Sequence, residues 1–366
     1  MSEIKRIAVM TGGGDCPGLN PVIRAVTKTA IMKYGLEVVG IKHGYRGLYL
    51  GGDEFVNLTL DKVEEILSKG GTILYSSNKD NLFDYTYEDE NGNTCHGDVS
   101  DVGVENLRKA GIDALVVIGG DGTLTSGRDF SRKGVKVIGV PKTIDNDLAA
   151  TDTTFGFDTA VSTAVEAIDR LKTTAESHSR IITVEAMGRY AGFLALSAGI
   201  GGAADAILIP EIEYDINKVA ETIKANCARG KNYAIVVVAE GAKPKNGEVV
   251  VSKVVENSPD PIRLGGIANV VAEQLEKLVG LEARATILGH VQRGGSPTAN
   301  DRILSTRYGS YAVELLMQGK FGNMVTLKGN QMSYESLENV IGANKAVDPS
   351  GELVTIAEAT GVSFGR

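Results

Sequence analysis

The chain opens with short apolar runs separated by stretches whose apolar residues have helical spacing. Residues 7–10 (IAVM) are apolar throughout, a glycine-rich turn follows, and residues 20–34 have apolar positions on one face of a helix. The same alternation predicts three more strands, over 37–41, 114–118 and 135–140. It also predicts another helix over 102–110. Short strands that are apolar throughout, alternating with helices, indicate a parallel sheet covered on both faces.

A second series of the same kind begins near residue 158. Its predicted helices cover 159–175, 192–201, 216–228 and 265–279, and its predicted strands cover 180–185, 206–209 and 234–239. We therefore expect an α/β fold with two doubly wound, Rossmann-like lobes, each in three αβα layers, and a cleft between them. The larger lobe would contain residues 1–156 and 292–342, and the smaller one 157–291 and 343–366.

Residues 81–96 interrupt the alternation. Tyr85 and Tyr87 alternate with polar neighbours, and Asn91-Gly92 is a strong turn signal, so this segment predicts a β-hairpin. The acidic run of residues 88–90 is interpreted as its solvated tip rather than as a metal site.

Two glycine-rich segments follow predicted strands, at the end where open α/β sheets bind ligands. In TGGGDCPG (11–18), glycines would let backbone N–H groups approach phosphate oxygens, although a tight connection alone also needs glycine. In GGDGT (119–123), glycines flank a carboxylate, Asp121. This pattern predicts a phosphate cradle with Asp121 directed at Mg²⁺, which needs only one or two carboxylates besides phosphate oxygens.

A third segment, PKTIDND (141–147), also follows a predicted strand. In an extended stretch Thr143, Asp145 and Asp147 would face one way because side chains alternate along a strand. Two carboxylates and a hydroxyl on one face can supply a general base and orienting partners for a sugar hydroxyl. Asp and Asn are also common turn residues, which is the structural alternative.

Cationic residues sit in short glycine-linked segments from residue 180 onward. They are Arg180, Arg189 in Met187-Gly188-Arg189, Arg284, and His290 with Arg293 in LGHVQRGGSP. Together they predict a pocket for a phosphate group.

Bulk composition limits the possible partners. The net charge of −8 disfavours nucleic-acid and anionic-membrane binding, and no apolar run approaches the roughly 20 residues of a membrane span. The three cysteines fit neither a disulfide framework nor a zinc site, so we expect ordinary thiols in a reducing cytoplasm.

Taken in order, TGGGDCPGLN, GGT (70–72), GGDGT, PKTIDND, EAMGRYAG and GHVQRGGSP resemble the 6-phosphofructokinase family, from about residue 5 to 345. The resemblance implies Mg²⁺-dependent transfer of the γ-phosphoryl of ATP to the 1-hydroxyl of fructose 6-phosphate, giving fructose 1,6-bisphosphate. Lipid and NAD kinases share GGDGT but would lack TIDND and HxQRGG. A non-catalytic sugar-phosphate sensor would be expected to lack Asp121 or Asp145.

The same resemblance implies residue roles. Asp121 would bind Mg²⁺, Asp145 would be the general base, and Thr143, Asp147 and Arg189 would assist it. The donor phosphates would contact Gly13, Gly122, Thr123 and Lys142. The fructose 6-phosphate site would comprise Thr143, Asp145, Arg180, Met187, Gly188, Arg189, Glu240, Arg284, His290 and Arg293.

The resemblance also implies assembly and a division of labour. Arg180 and Arg284 would act across a subunit interface of a homo-oligomer, either a tetramer or a dimer. The larger lobe would bind the phosphoryl donor and Mg²⁺, and the smaller lobe would bind fructose 6-phosphate.

The donor itself is the open alternative. Glycine at 122 leaves room for the α-phosphate of ATP, whereas family members that use pyrophosphate commonly have an acid there. Lys142, in contrast, is typical of the pyrophosphate users, whose reaction is reversible. We expect ATP, with a pyrophosphate-dependent enzyme as the alternative.

Overall fold

The computed structural model describes residues 4–88, 92–254 and 262–366. Its strands are β1 (Arg6–Thr11), β2 (Glu37–Ile41), β3 (Phe55–Leu58), β4 (Tyr85–Glu88), β5 (Thr94–Gly97), β6 (Ala114–Gly119), β7 (Val137–Pro141), β8 (Ile181–Ala186), β9 (Ala206–Leu208), β10 (Ala234–Ala239), β11 (Val251–Val254), β12 (Ile262–Leu264), β13 (Ala283–Ile287), β14 (Asn323–Lys328) and β15 (Gln331–Ser336). Its helices are α1 (Leu19–Tyr34), α2 (Tyr45–Leu50), α3 (Leu60–Val63), α4 (Ser100–Lys109), α5 (Asp121–Arg132), α6 (Phe157–His178), α7 (Phe193–Gly201), α8 (Ile216–Ala228), α9 (Ile267–Val279), α10 (Ala299–Met317), α11 (Leu337–Val340) and α12 (Glu352–Ala359).

The chain divides into two compact units. The first contains residues 1–143, 148–156 and 293–344, and the second contains 144–147, 157–292 and 345–366. The chain therefore passes from one unit to the other several times.

The first unit is built on a seven-stranded sheet in the order β15-β14-β7-β6-β1-β2-β3. The five strands from β14 to β2 are parallel, and the edge strands β15 and β3 are antiparallel to their neighbours. Strands β6 and β7 are apolar and buried throughout, and β1 is buried from Ile7 to Thr11, as a sheet covered on both faces requires. Met10, Leu115 and Val117 contribute to one core with Phe130 of α5.

The second unit is built on a four-stranded parallel sheet in the order β13-β8-β10-β9. Its core includes Leu208 and Val236 of the sheet and Val271 of α9. Helix α8 begins where Asp215 caps it, since the Asp215 carboxylate accepts the backbone N–H of Asn217 at 2.9 Å. The α/β fold class predicted from the sequence, with parallel sheets and helices, is confirmed.

Two small antiparallel pairs accompany these sheets. Strands β4 and β5 pair from Tyr85–Gly97 to Glu88–Thr94, so the predicted hairpin is present, and β11 pairs with β12. Asp89, Glu90 and Asn91, which the sequence assigns to the hairpin tip, lie outside the described residues. Among the helices that the structure describes, none is both long and apolar enough to cross a membrane, and the expected cytoplasmic location stays a prediction.

Candidate active site

In the first unit, the three ligand-binding segments predicted from the sequence follow three adjacent strands. Strands β7, β6 and β1 are neighbours in the sheet and run parallel. Because carboxyl ends of parallel strands lie at one edge of a sheet, the segments that begin at Gly12, Gly120 and Lys142 emerge side by side.

The glycine turn after β1 packs closely against the start of α5. A Cβ on Gly12 would lie 2.7 Å from the Thr123 methyl carbon and 2.8 Å from its hydroxyl oxygen, and a Cβ on Gly119 would also overlap Thr123. Gly13 has a φ of 77°, a left-handed conformation that favours glycine. Glycine is therefore required here so that the backbone can approach the N-terminus of a helix, an arrangement suited to phosphate binding.

Two cations lie against the same turn. The side chain of Lys142 is buried, and its Nζ donates to the Gly14 carbonyl. A Cβ on Gly13 would lie 3.6 Å from that Nζ, and a Cβ on Gly14 would lie 2.8 Å from an Arg293 guanidinium nitrogen. Burial raises the pKa of the nearby Cys16 thiol well above its usual range; the charge of Lys142 opposes that rise, those of Asp301 and Asp15 add to it, and that of Arg293 opposes it. The turn thus has two cationic side chains beside it and carboxylates nearby.

Asp121 is the first residue of α5, and its Oδ1 accepts the backbone N–H of Gly342 at 3.0 Å. The next residue, Gly122, is open: a Cβ there would meet no atom within 4 Å. Among the described residues, no group of three His, Cys, Asp or Glu side chains could hold a metal ion. A single carboxylate beside a phosphate cradle nevertheless fits Mg²⁺, which takes its other ligands from phosphate and water.

An aromatic pair adjoins the glycine turn. The rings of His43 and Tyr75 stack with centroids 4.8 Å apart and planes 6° apart, and 57% of Tyr75 is exposed. The Thr11 hydroxyl donates to the Tyr75 carbonyl at 2.7 Å, and His43 Nδ1 lies 2.7 Å from a carboxylate oxygen of Glu54. Tyr75 has a φ of 56°, a backbone conformation that a non-glycine residue rarely adopts.

The second unit gathers its predicted residues at one edge of the sheet as well. Strands β13, β8 and β10 are adjacent and parallel, and their carboxyl ends lead directly into the segments containing His290, Met187–Arg189 and Glu240. Arg189 and His290 are exposed. The structure thus brings together the predicted residues that follow these three strands.

The loop carrying Arg189 is held by two side-chain acceptors, Glu240 and Gln292. Glu240 Oε1 accepts the backbone N–H groups of Arg189 at 2.9 Å and of Gly188 at 3.3 Å. Burial raises the pKa of the Glu240 carboxyl, and these two hydrogen bonds oppose the rise. The backbone N–H of Met187 donates to the fully buried Gln292 at 2.9 Å. These contacts stabilise Arg189 at a φ of 49°.

The segment 143–147 is not extended, so that prediction is wrong. The backbone bends at Ile144 and Asp145, and Asn146 has a φ of 55°. The alternation of side chains in a strand therefore does not apply to Thr143, Asp145 and Asp147. The turn-forming tendency of Asp and Asn determines the local backbone here.

Arg180 and Arg284 are separated from Arg189 along the sheet. Arg180 precedes β8 and Arg189 follows it, so at about 3.3 Å per residue the length of the strand, about 20 Å, lies between them. Arg180 Nε donates to Glu282 at 2.6 Å, and Arg284 pairs with the other oxygen of the same carboxylate. Within one chain these two arginines form their own cluster.

The sequence profile of the phosphofructokinase family matches residues 6–316. This chain belongs to the phosphofructokinase family. Phosphofructokinases are phosphotransferases that use a metal ion, so the prediction of a kinase is confirmed.

Several known members of the family are similar over the whole chain. The ATP-dependent 6-phosphofructokinase 2 of Clostridium perfringens is 68% identical over 365 residues, covering 100% of this chain and 99% of that protein. The pyrophosphate–fructose 6-phosphate 1-phosphotransferase of Amycolatopsis methanolica is 47% identical over 349 residues, covering 94% and 96%. The solved phosphofructokinase of Saccharomyces cerevisiae has a TM-score of 0.79 at 32% identity, and the match covers 92% of this chain but only 45% of that one.

Sequence reasoning missed several residues that shape these two edges. Gln292 lies inside the GHVQRGG motif, where its position between His290 and Arg293 was the available signal. No sequence signal pointed to Tyr75 and His43, because neither aromatic belongs to a glycine-rich motif and their stacking joins residues 32 positions apart.

Proposed function

We propose that this protein transfers the γ-phosphoryl group of ATP to the 1-hydroxyl of fructose 6-phosphate, with Mg²⁺ as cofactor. The observation that carries the proposal is the edge formed after β1, β6 and β7, where Thr123, Lys142 and Arg293 lie against the glycine turn that contains Gly13. Backbone N–H groups, a helix N-terminus and two cations at one place are what a transferring phosphoryl group requires.

The donor phosphates are assigned to Gly13, Gly122, Thr123 and Lys142. Asp121, at the first position of α5, would hold Mg²⁺, which neutralises charge on the donor oxygens and orients them. Arg293 is assigned to the fructose 6-phosphate site. Because its guanidinium lies against Gly14, it is also suited to offset negative charge on the transferred phosphoryl group.

The acceptor is assigned to the segments of the second unit together with Thr143. Asp145 accepts the proton of the 1-hydroxyl, whose oxygen then bonds to the γ-phosphorus while the bond to the bridging oxygen of ADP breaks. Thr143 and Asp147 orient this group. The sugar phosphate would be bound by Met187, Gly188, Arg189, Glu240, His290 and Arg293.

Three observations favour ATP as the donor. The space beside Gly122 leaves room for an α-phosphate, and the exposed Tyr75 ring offers a flat apolar surface beside the glycine turn. Pyrophosphate has no ring to stack there. The 68% identical relative is named an ATP-dependent enzyme.

Lys142 supports pyrophosphate as the second candidate. Its buried ammonium lies at the glycine turn, where a small, highly charged leaving group would benefit from it. A pyrophosphate-dependent relative is 47% identical to this chain.

The separate cluster of Arg180 and Arg284 supports a homo-oligomer, most simply a tetramer. Because a strand separates these residues from Arg189, they suit the substrate phosphate of a neighbouring subunit better than that of their own. Light scattering of the purified protein measures the assembly, and a monomer that is fully active would contradict this part of the proposal.

The decisive experiment measures fructose 1,6-bisphosphate formed from fructose 6-phosphate and Mg²⁺ with either ATP or pyrophosphate. We expect turnover with ATP and little with pyrophosphate. Turnover with pyrophosphate alone would select the second candidate, and no product with either donor would refute both.

A further inference from the structure

Residues 345–347, which precede α12, contact the loop that contains Asp145. The backbone N–H of Lys345 donates to the Asp147 carbonyl at 2.8 Å, and Lys345 Nζ lies 3.3 Å from the Asn146 side-chain oxygen. Lys345 therefore makes one backbone and one side-chain contact within the two residues that follow Asp145.

Asn146 has a left-handed backbone conformation within this loop. It is only 7% exposed and has a φ of 55°, a conformation that asparagine tolerates because its side chain can form local hydrogen bonds. The contacts of the Asn146 side chain therefore help to fix the backbone of the loop. The ammonium of Lys345 supplies one of those contacts. Because Asn146 directly follows Asp145, this contact influences the orientation of the Asp145 side chain.

The same segment is also attached to the loop that contains Arg189. Glu211 Oε1 accepts the backbone N–H of Val347 and that of Gly192, both at 2.9 Å. Lys345 Nζ lies 5.5 Å from the centroid of the Phe193 ring, at the beginning of α7. One short segment thus contacts the Asp145 loop directly and is linked to the Arg189 loop through Glu211.

We propose that Lys345 and Glu211 are positioning residues that hold the Asp145 loop and the Arg189 loop in a fixed relation through residues 345–347. This inference rests on the proposed function, because it concerns the base and the sugar-phosphate site of that reaction. Positioning matters because a misplacement of about 1 Å can cost roughly 10²-fold in rate. Neither residue needs to touch the substrate for its loss to lower turnover.

The first test compares Lys345→Met with Lys345→Arg. Methionine keeps the apolar stem against Phe193 but removes the contact with Asn146, whereas arginine keeps a cationic donor. We expect Lys345→Met to lower kcat about 10-fold or more, with KM for ATP unchanged, and Lys345→Arg to recover most of the loss. Lys243→Met is the matched control, since Lys243 pairs with Glu213 at 3.0 Å on an exposed surface, and it should leave kcat unchanged.

The second test is a double-mutant cycle with Glu211→Ala. If the two residues act through one segment, the double variant loses less activity than the product of the two single losses. Glu211→Gln, which retains a side-chain oxygen for both N–H groups, should be milder and serves if the alanine variant does not fold.

Three results would overturn the inference: an unchanged kcat in Lys345→Met, an arginine variant as impaired as the methionine variant, or fully multiplicative losses in the cycle. Failure of the proposed function is recognised separately. In that case the unmodified protein forms no fructose 1,6-bisphosphate.

Discussion

The Glu240 carboxylate accepts the backbone N–H of Arg189 at 2.9 Å, and so fixes a left-handed arginine at the end of β8. Removing that acceptor should be costly. In Glu240→Ala the backbone N–H groups of Gly188 and Arg189 lose their acceptor, and the loss costs about 1–3 kcal/mol for a buried donor such as that of Gly188. We expect KM for fructose 6-phosphate to rise about 10-fold or more, with a smaller change in kcat. Steady-state kinetics measure this, and Glu240→Gln, which keeps an acceptor oxygen, is the control that should remain close to the unmodified enzyme.

The raised pKa of Glu240 makes a prediction about stability. The folded protein retains the Glu240 proton at pH values where the unfolded chain has lost it. The contribution of the protonated carboxyl to the free energy of unfolding is therefore greatest below the ordinary pKa of 4.5. The contribution falls as pH rises through the higher pKa of the folded state. Urea unfolding of the unmodified protein and of Glu240→Gln, over a series of pH values, should give a stability difference that shifts in favour of the variant as pH rises. A difference independent of pH would contradict this.

Asp145 is expected to contribute to the chemical step rather than to binding. We predict that Asp145→Asn lowers kcat by about 10²–10⁴-fold, the usual contribution of a general base, because the amide cannot accept the hydroxyl proton. The dissociation constant for fructose 6-phosphate, measured by calorimetry, should change little. Retention of most of the turnover would remove Asp145 from this role.

Gly122 should control which donor is accepted. In Gly122→Asp, a carboxylate would face the α-phosphate of ATP, and like charges brought together cost several kcal/mol, so ATP-dependent kcat/KM should fall about 10²-fold or more. The fold should tolerate the change, because the space is open and an acid suits the first turn of a helix. Gly122→Ala is the size control and should lose far less. Equal losses in the two variants would show that charge is not the cause.

Tyr75 should matter for a nucleotide and not for an inorganic donor. Loss of aromatic stacking in Tyr75→Ala should raise KM for ATP about 5-fold, corresponding to roughly 1 kcal/mol. Tyr75→Phe keeps the ring and should bind ATP normally. Inhibition by pyrophosphate, measured in both variants, should be unaffected. An equal loss of affinity for ATP and pyrophosphate would show that the Tyr75 ring does not stack on the nucleotide.

Sequence patterns predicted local structure best where local contacts determine it. The predicted bounds of α8 (216–228) and β10 (234–239) agree with the structure, because an Asp cap and an uninterrupted apolar run define them within a few residues. Strand β13 was not predicted, since ARATI contains an arginine and a threonine and is too short to show a pattern.

The candidate site was predictable where it follows glycine-rich motifs and not where it depends on distant partners. Asp121 and Arg189 lie at strand ends, as expected. The bend at Ile144 and Asp145 and the left-handed Asn146 fit the turn alternative, because the turn tendency of Asp and Asn outweighs strand alternation there. Lys345 was missed because its contact with Asn146 joins residues 199 positions apart, and no spacing rule reports such a pair.

The packing of Thr123 against Gly12 and Gly119 limits how this protein can change. A Cβ at either glycine would overlap Thr123, so a substitution there requires Thr123 to move. A Cβ on Gly122, in the same motif, would meet no atom within 4 Å. Position 122 is therefore where the packing of this motif resists a new side chain least, and evolution can alter the donor preference there without rebuilding the turn.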